Sequence, residues 1–249
     1  MQIQMLREPI FLTSAVVPTG SGSGLIGDYE LIFCAISPFE PGVMFSDPTP
    51  GTWETLDTDA SVDGRIALGI WGRFTDNPAS EDISCNWNIR SEPFTAGSFR
   101  YSDVDPANPI IAVACNSGNS EVSVAPSVNT LPGSQVVRIF AFFSRVQLPP
   151  VLGHMSSNDE VSGSSSSVVS GGAGLLELEA TTQISFVDGP TGTEVSTGNI
   201  TGNWRACTIA IRMAPPTDVP TMSEWGLISF AAFAGIAGFW FMRRRQVTA

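Results

Sequence analysis

Apolar residues in the first 214 positions of this chain follow two patterns, alternation with polar residues and short continuous runs, and both are typical of β-strands. Asp28–Ile36 is a continuous run, which predicts a central strand buried on both faces. Ser84–Arg90 alternates, with Cys85, Trp87 and Ile89 on one face. The predicted strands are Ile10–Val17, Asp28–Ile36, Trp53–Leu56, Arg65–Phe74, Ser84–Arg90, Phe94–Val104, Ile110–Cys115, Val122–Ala125, Gln135–Phe143, Leu175–Val187 and Trp204–Met213.

Turn residues separate these segments, and no helical period is found before residue 219, so we predict an all-β, antiparallel two-sheet sandwich or barrel. Pro38–Pro50 is predicted to be a loop, and the serine- and glycine-rich Gly153–Gly174 a mobile loop within the same domain. Trp204–Met213 is expected to close the sheet. This segment alternates two sets of residues, Cys207, Ile209 and Ile211 with Thr208, Ala210 and Arg212.

The C-terminal tail has a different pattern. Leu227–Met242 carries no charge over about 16 residues, near the short limit for a helix that crosses a bilayer. Trp225 and Trp240 lie at its ends, and three arginines follow, Arg243, Arg244 and Arg245. These features predict a transmembrane helix with a cytoplasmic C-terminus. The alternative is a buried core helix. The predicted organisation is a β-sandwich domain over 1–214, a proline-rich tether over 215–218 and the tail over 219–249.

The tail resembles the IPTL-CTERM sorting signal of Gram-negative bacteria, a relative of PEP-CTERM: an Ile-Pro-Thr-Leu motif, a Trp-Gly pair, an apolar span and a basic end. This chain has Val219 in place of Ile and Met222 in place of Leu, and it keeps Pro220, Thr221, Trp225 and Gly226. The resemblance implies an exported protein that is held in the inner membrane, cut near the motif by an exosortase, and passed to the envelope or surface.

A second resemblance concerns the body. The order of Gly27-Asp28, Gly51-Thr52-Trp53, the Ala67–Phe74 strand and the segment Phe99–Ile110 is similar to jelly-roll-like β-sandwich domains of bacterial surface proteins and phage tail-associated proteins. Their aromatic strand likewise ends in a Val-Asp-Pro-x-Asn-Pro turn. This likeness implies a fold and no activity.

The net negative charge of the body limits the classes of partner that it is expected to bind. All 12 basic residues are arginine, and residues 1–218 carry 9 arginines and 23 acidic residues. Nucleic acids and anionic lipids are attracted by positive fields, so neither is an expected partner of the body. An exported protein needs a leader. We interpret Ile10–Val17 as a strand and expect the leader upstream of Met1; the alternative is that Ile10–Val17 is itself a degenerate signal peptide.

Four cysteines, Cys34, Cys85, Cys115 and Cys207, allow two disulfides in three connectivities. The alternative is that they are buried free thiols, since each lies in an apolar strand phase. Structural zinc is not expected, because no cysteine pair has the required spacing.

Catalytic signals are weak. A Ser-His-Asp site would need His154, which lies in the serine-rich loop, and no phosphate-binding loop is present. Asp57, Asp59 and Asp63 lie between two strands, and Asp103 and Asp105 lie in a turn. Such oxygen-rich loops are candidate Ca²⁺ sites, with a solvated acidic turn as the alternative.

The rings of four tryptophans are candidates for stacking on sugars: Trp53, Trp71, Trp87 and Trp204. Strand phase places Trp71 and Trp87 in the core and leaves Trp53 and Trp204 as the candidates.

The sequence therefore predicts a non-enzymatic exported protein of the cell envelope or extracellular matrix, with a structural or adhesive role and no cofactor other than a candidate Ca²⁺. Its expected partners are an exosortase-type enzyme, the inner membrane, and exopolysaccharide or further copies of itself. The alternatives are a carbohydrate-binding module for exopolysaccharide and a phage tail or fibre component.

Overall fold

The computed structural model describes residues 12–18, 26–38, 42–61, 63–76, 82–145, 155–156, 163–171, 174–215, 226 and 228–234. The chain divides into two compact units, Met1–Ala214 and Pro215–Ala249. The strands of the first unit are β1 (Leu12–Pro18), β2 (Tyr29–Pro38), β3 (Phe45–Thr49), β4 (Glu54–Asp57), β5 (Ala67–Phe74), β6 (Asp82–Tyr101), β7 (Ile110–Ala125), β8 (Asn129–Thr130), β9 (Gln135–Ser144), β10 (Met155–Ser156), β11 (Gly163–Gly171), β12 (Gly174–Ile184), β13 (Gly189–Pro190) and β14 (Glu194–Ile211).

Two six-stranded antiparallel sheets make up this unit. The first has the order β1-β6-β2-β5-β4, with β3 also paired to β6. In the second, β14 pairs with β7, β10 and β9, and β12 and β11 follow β9. The strands β8 and β13 form a separate two-stranded ribbon.

The two sheets repeat one topology. Strands β1, β2, β3, β4, β5 and β6 correspond in chain order and in pairing to β7, β9, β10, β11, β12 and β14. In each half the first strand pairs with the last, the last with the second, and the second with the fifth. The first unit is thus a six-stranded motif built twice.

Facing sides of the two sheets enclose the main core. Along β2, Leu31 and Phe33 point into it, and along β9 Val137 and Ile139 do the same from the other sheet. Alternation along each strand places the next residues on the outer faces, but these are also buried: every residue of β9 has little exposure to solvent. A second cluster lies on the outer face of the first sheet and a third on the outer face of the second.

The first halves of the two longest strands cover the outer faces. The register of β14 against β7 breaks between Thr197 and Gly202. In β6, residues 82–91 pair with β1 and β3, whereas residues 94–101 pair with β2. The first half of β6 then packs Cys85 and Trp87 onto Cys34 and its neighbours on β2. Each long strand is therefore part of its sheet and also part of the layer that covers it.

Several boundaries differ from those predicted. Ser84–Arg90 and Phe94–Val104 belong largely to the single strand β6, and Ile110–Cys115 and Val122–Ala125 both belong to β7. The polar stretch in β7 and the proline-containing stretch in β6 predict breaks, but each strand continues through its stretch. The predicted Pro38–Pro50 loop contains β3, which pairs with β6.

The serine-rich segment is also corrected. Gly163–Gly171, predicted to be mobile loop, forms β11 and pairs with β12 over its whole length. Along β14, Cys207, Ile209 and Ile211 face the main core as their alternation predicts, and Thr208 and Ala210 are equally buried because β14 has a covered face on both sides. The first six strands form one sheet and the later strands, apart from β8 and β13, form the other. This arrangement differs from the predicted jelly roll, whose two Greek keys distribute consecutive strands over both sheets.

Truncating the core between the sheets should destabilise the fold strongly. Ile139→Ala removes a side chain with no exposed surface and is expected to lower the free energy of unfolding by about 2–5 kcal/mol. The matched control is Ile184→Ala on the neighbouring strand, where the isoleucine is 47% exposed and the change should stay within about 0.5 kcal/mol. Urea unfolding of the oxidised protein measures both, and equal losses would contradict this assignment of the core.

Candidate functional site

The tail carries the strongest functional signal in the sequence, and only part of it is described. Gly226 and residues 228–234 are helical, with Ile228, Phe230 and Phe233 between 58% and 74% exposed. Val219, Pro220, Thr221, Met222, Trp225 and the three arginines Arg243, Arg244 and Arg245 lie outside the described residues. Within the described part of the chain, no helix combines the length and apolar character needed to cross a membrane.

A buried ion pair joins the two sheets inside the body. Arg205 on β14 points toward the first sheet, and its Nε donates to Asp57 Oδ2 at 2.9 Å while Nη2 donates to Oδ1 at 2.7 Å. Its Nη1 donates to the carbonyl oxygen of Ala60 at 3.4 Å. The guanidinium and the carboxylate therefore meet in the two-pronged geometry that arginine favours, with both side chains largely buried.

This environment acts on the acid in opposite directions. Burial raises the pKa of Asp57 above its ordinary value and outweighs the hydrogen bond and charge of Arg205, which lower the pKa. Asp59 adds to the rise, with Oδ2 at 3.4 Å from Arg205 Nη2. Arg205 thus favours the ionised form of Asp57 at a buried position that otherwise favours the neutral acid.

The predicted Ca²⁺ site does not form from Asp57, Asp59 and Asp63. Asp57 is taken up by Arg205, Asp59 is 80% exposed, and Asp63 accepts hydrogen bonds from Ser61 and from the Arg65 amide in its own turn. Asp57 and Asp59 face Arg205 while Asp63 is bonded within its own turn, so the three carboxylates do not converge on one ion. In the other candidate turn, Asp105 accepts from the Ala107 amide at 2.9 Å.

One carboxylate does lie beside two sulfurs. Ligand atoms of Asp57, Cys115 and Cys207 are within 4.8 Å of one another among the described residues. The two cysteines are joined in a disulfide, however, and a metal ion is bound by the thiolate form of cysteine. This group therefore works as an ion pair next to a covalent link.

The two disulfides make different kinds of connection in the fold. Cys34–Cys85 ties the first half of β6 to the outer face of β2, with the Cα atoms 6.7 Å apart. Cys115–Cys207 joins directly paired residues of β7 and β14, with the Cα atoms 4.1 Å apart. This is one of the three connectivities that four cysteines allow, and disulfides persist in oxidising, extracytoplasmic compartments.

The two candidate sugar-stacking tryptophans are buried. Trp53 is 6% exposed, and the Arg73 guanidinium covers its ring at 4.2 Å from the ring centre. Trp204 is 5% exposed and donates from Nε1 to Ser120 Oγ at 2.9 Å. A sugar stacks on an open ring face, so these residues do not form such a surface in this fold.

Sequence reasoning missed the interior ion pairs. Glu30 is held between Arg73, at 2.9 Å, and Arg100. Arg138 and Glu194 lie 3.2 Å apart on the covered outer face of the second sheet, and burial lowers the pKa of Arg138 while Glu194 raises it. The sequence does indicate that Arg205 is buried, because it lies two residues before Cys207 and therefore points to the same face of the strand.

His154 lies outside the described residues, so its predicted place in a loop stays a prediction. The Asp103 turn is described, and it is the one described non-glycine position with a left-handed backbone, at φ 57°. Its carbonyl oxygen accepts from the Ala214 amide, which fixes the end of the first unit beside the junction of the two repeats.

Comparison with known families gives one match. Residues 219–245 match the IPTL-CTERM motif, so the chain carries a C-terminal sorting signal of this type, which indicates export toward the cell envelope or surface. No curated protein and no solved structure matches the chain. The likeness of the body to phage tail-associated domains thus has no support from a relative.

Removing the arginine of the intersheet pair should produce a pH-dependent loss of stability. Arg205→Met leaves the Asp57 carboxylate buried without its counter-charge, and at pH 7 it is expected to cost about 3–5 kcal/mol. With the pKa of Asp57 raised above its unfolded value, the folded state binds the proton more tightly. Stability should then be recovered as pH falls through that pKa and lost as pH rises.

Urea unfolding between pH 4 and 7 measures this effect. The double variant Asp57→Asn/Arg205→Met should be more stable than Arg205→Met at pH 7 and lose the excess pH dependence. Arg65→Met is the control, because that arginine is about 40% exposed and its pair with Asp63 is worth at most about 1 kcal/mol. A loss in Arg205→Met that is the same at every pH would argue against the role of Asp57.

Proposed function

We propose that this protein is an exported, non-enzymatic component of the cell envelope or extracellular matrix, in which a β-sandwich body is delivered to its location by an IPTL-CTERM tail. The observation that carries the proposal is the motif at residues 219–245. The tail is the delivery signal and the body is the part that performs the role outside the cytoplasm.

In this proposal the tail enters the inner membrane as a helix over Leu227–Met242. Its apolar run, the tryptophans at its ends and Arg243–Arg245 support that orientation, with the arginines on the cytoplasmic side. The exposed side chains Ile228, Phe230 and Phe233 in the described part of the helix support an apolar environment for it. An exosortase-type enzyme would then cut near Val219–Met222 and release the body.

Three properties of the body support an extracytoplasmic structural role. Its two disulfides suit an oxidising compartment. Its excess of acidic residues favours solubility after release. The buried carboxylates of Glu30, Asp57 and Glu194 each contact arginine, and this pairing supports a role in stability rather than in proton transfer.

Processing in cells tests the proposal. The chain is expressed behind a secretion leader in a Gram-negative host, with and without an exosortase-type enzyme that recognises IPTL-CTERM tails. With the enzyme, the wild-type protein should lose the arginine cluster and leave the membrane fraction, as shown by mass spectrometry and carbonate extraction. Pro220→Ala should stay uncut and membrane-bound.

Thr217→Ala, in the tether outside the motif, is the matched control and should be processed like the wild type. An uncut wild-type chain in the presence of the enzyme, or a wild-type chain found only in the cytoplasm, would overturn the proposal.

A further inference from the structure

One edge of the second sheet is left open. Among the described residues, β7 pairs with β14 alone, so its opposite side presents unpaired backbone groups along Ile110–Ser120. Soluble proteins usually protect such an edge with charged residues, proline, a bulge or a covering segment, because it is a ready template for another strand.

This edge has a bulge at Ile111, where the register against β14 shifts, but its sequence lacks the charged residues and proline that usually protect an edge. Ile110–Ser120 reads IIAVACNSGNS and contains neither a charged residue nor proline, and the first acidic residue is Glu121. The six residues from Ile110 to Cys115 are all apolar and half-buried. Neither charge nor proline therefore opposes the pairing of another strand along this stretch.

The position of the disulfide shows which backbone groups face the open side. Cys115 and Cys207 are direct partners with Cα atoms 4.1 Å apart, the spacing of a non-hydrogen-bonded antiparallel pair. The amide and carbonyl of Cys115 thus point away from β14, and by alternation those of Val113 and Ser117 do so too. At Ser117 the amide donates instead to Asn116 Oδ1 at 2.9 Å, which caps the polar end of the edge.

We propose that this edge binds a second copy of the chain, with the two β7 strands antiparallel and Val113 opposite Val113 across a two-fold axis. Each such pair exchanges two backbone hydrogen bonds, since both residues direct N–H and C=O toward the partner. Ala112 then lies opposite Ala114 of the second copy, and the two second sheets become one continuous sheet. The contact is closed by symmetry, so it makes a dimer and not a filament.

Charge and symmetry favour a second copy over another strand. Two bodies with a large negative charge repel each other across most of their surfaces, and like charges placed directly opposite destabilise a strand pair. The stretch Ile110–Ser120 avoids the second penalty because it is uncharged. In this register Ile111–Cys115 lie opposite the same residues of the second copy, so apolar side chains meet apolar side chains. This inference concerns the body alone, so processing of the tail and pairing of the edge succeed or fail independently.

The test compares the full chain with two variants in a non-ionic detergent that shields the tail. Val113→Pro removes an amide that faces the open side and leaves the bonds to β14 intact. Val113→Ala keeps that amide but loses the same packing against the core, so it is the matched control. Light scattering corrected for detergent should give two chains per particle for the wild type and for Val113→Ala, and one for Val113→Pro.

Hydrogen exchange on the wild type provides a second measurement that requires no variant. The amides of Val113 and Cys115 should exchange more slowly as protein concentration rises, while that of Ser117, already bonded to Asn116, should not change. Equal chain numbers for the wild type and a folded Val113→Pro, a wild type that remains a single chain, or exchange at Val113 that is independent of concentration would overturn the proposal.

Discussion

Charged side chains that fall inside this body need a polar or oppositely charged partner there, because both sheets are covered on both faces. In a sandwich with one solvated face per sheet, alternate positions could hold free charges. Here the outer faces carry their own buried clusters, and the first halves of β6 and β14 help to cover them. The pairs Arg205–Asp57, Arg138–Glu194 and Glu30 with its two arginines follow from this constraint. Desolvated ions are tolerated when they are paired and hydrogen-bonded.

The same constraint gives a physical reason for the use of arginine without lysine. A guanidinium is weakly hydrated, stays charged and presents a planar fork to a carboxylate, whereas a buried ammonium tends to lose its proton. In Arg73 a single side chain both bonds to Glu30 and covers the ring of Trp53. Both functions depend on the planar group. Four of the described arginines of the body are thus paired with carboxylates in its interior: Arg73, Arg100, Arg138 and Arg205.

The body and the tail differ in whether their apolar side chains are buried. The body buries its apolar residues in three clusters and holds the covering strand of its first half with Cys34–Cys85. In the described part of the tail the large apolar side chains are exposed, and the sequence ends in a cluster of three arginines before its last four residues. The IPTL-CTERM motif indicates that the tail directs export. The role of the body after export depends on its surface, which includes the uncharged edge of β7.

Local pattern alone determined the class of the fold and the nature of the tail. Period-two alternation and continuous apolar runs identify strands such as Asp28–Ile36 because side-chain direction depends on neighbouring residues only. The tail can be identified from sequence for the same reason, because its apolar run and its basic end are adjacent in the chain. The tertiary structure decided what depends on distant residues: the doubling of one six-stranded motif, the covering of both sheet faces, and the pairing of Asp57 with Arg205. The serine-rich Gly163–Gly171 became a strand because β12 offered an edge, and backbone pairing does not require apolar side chains.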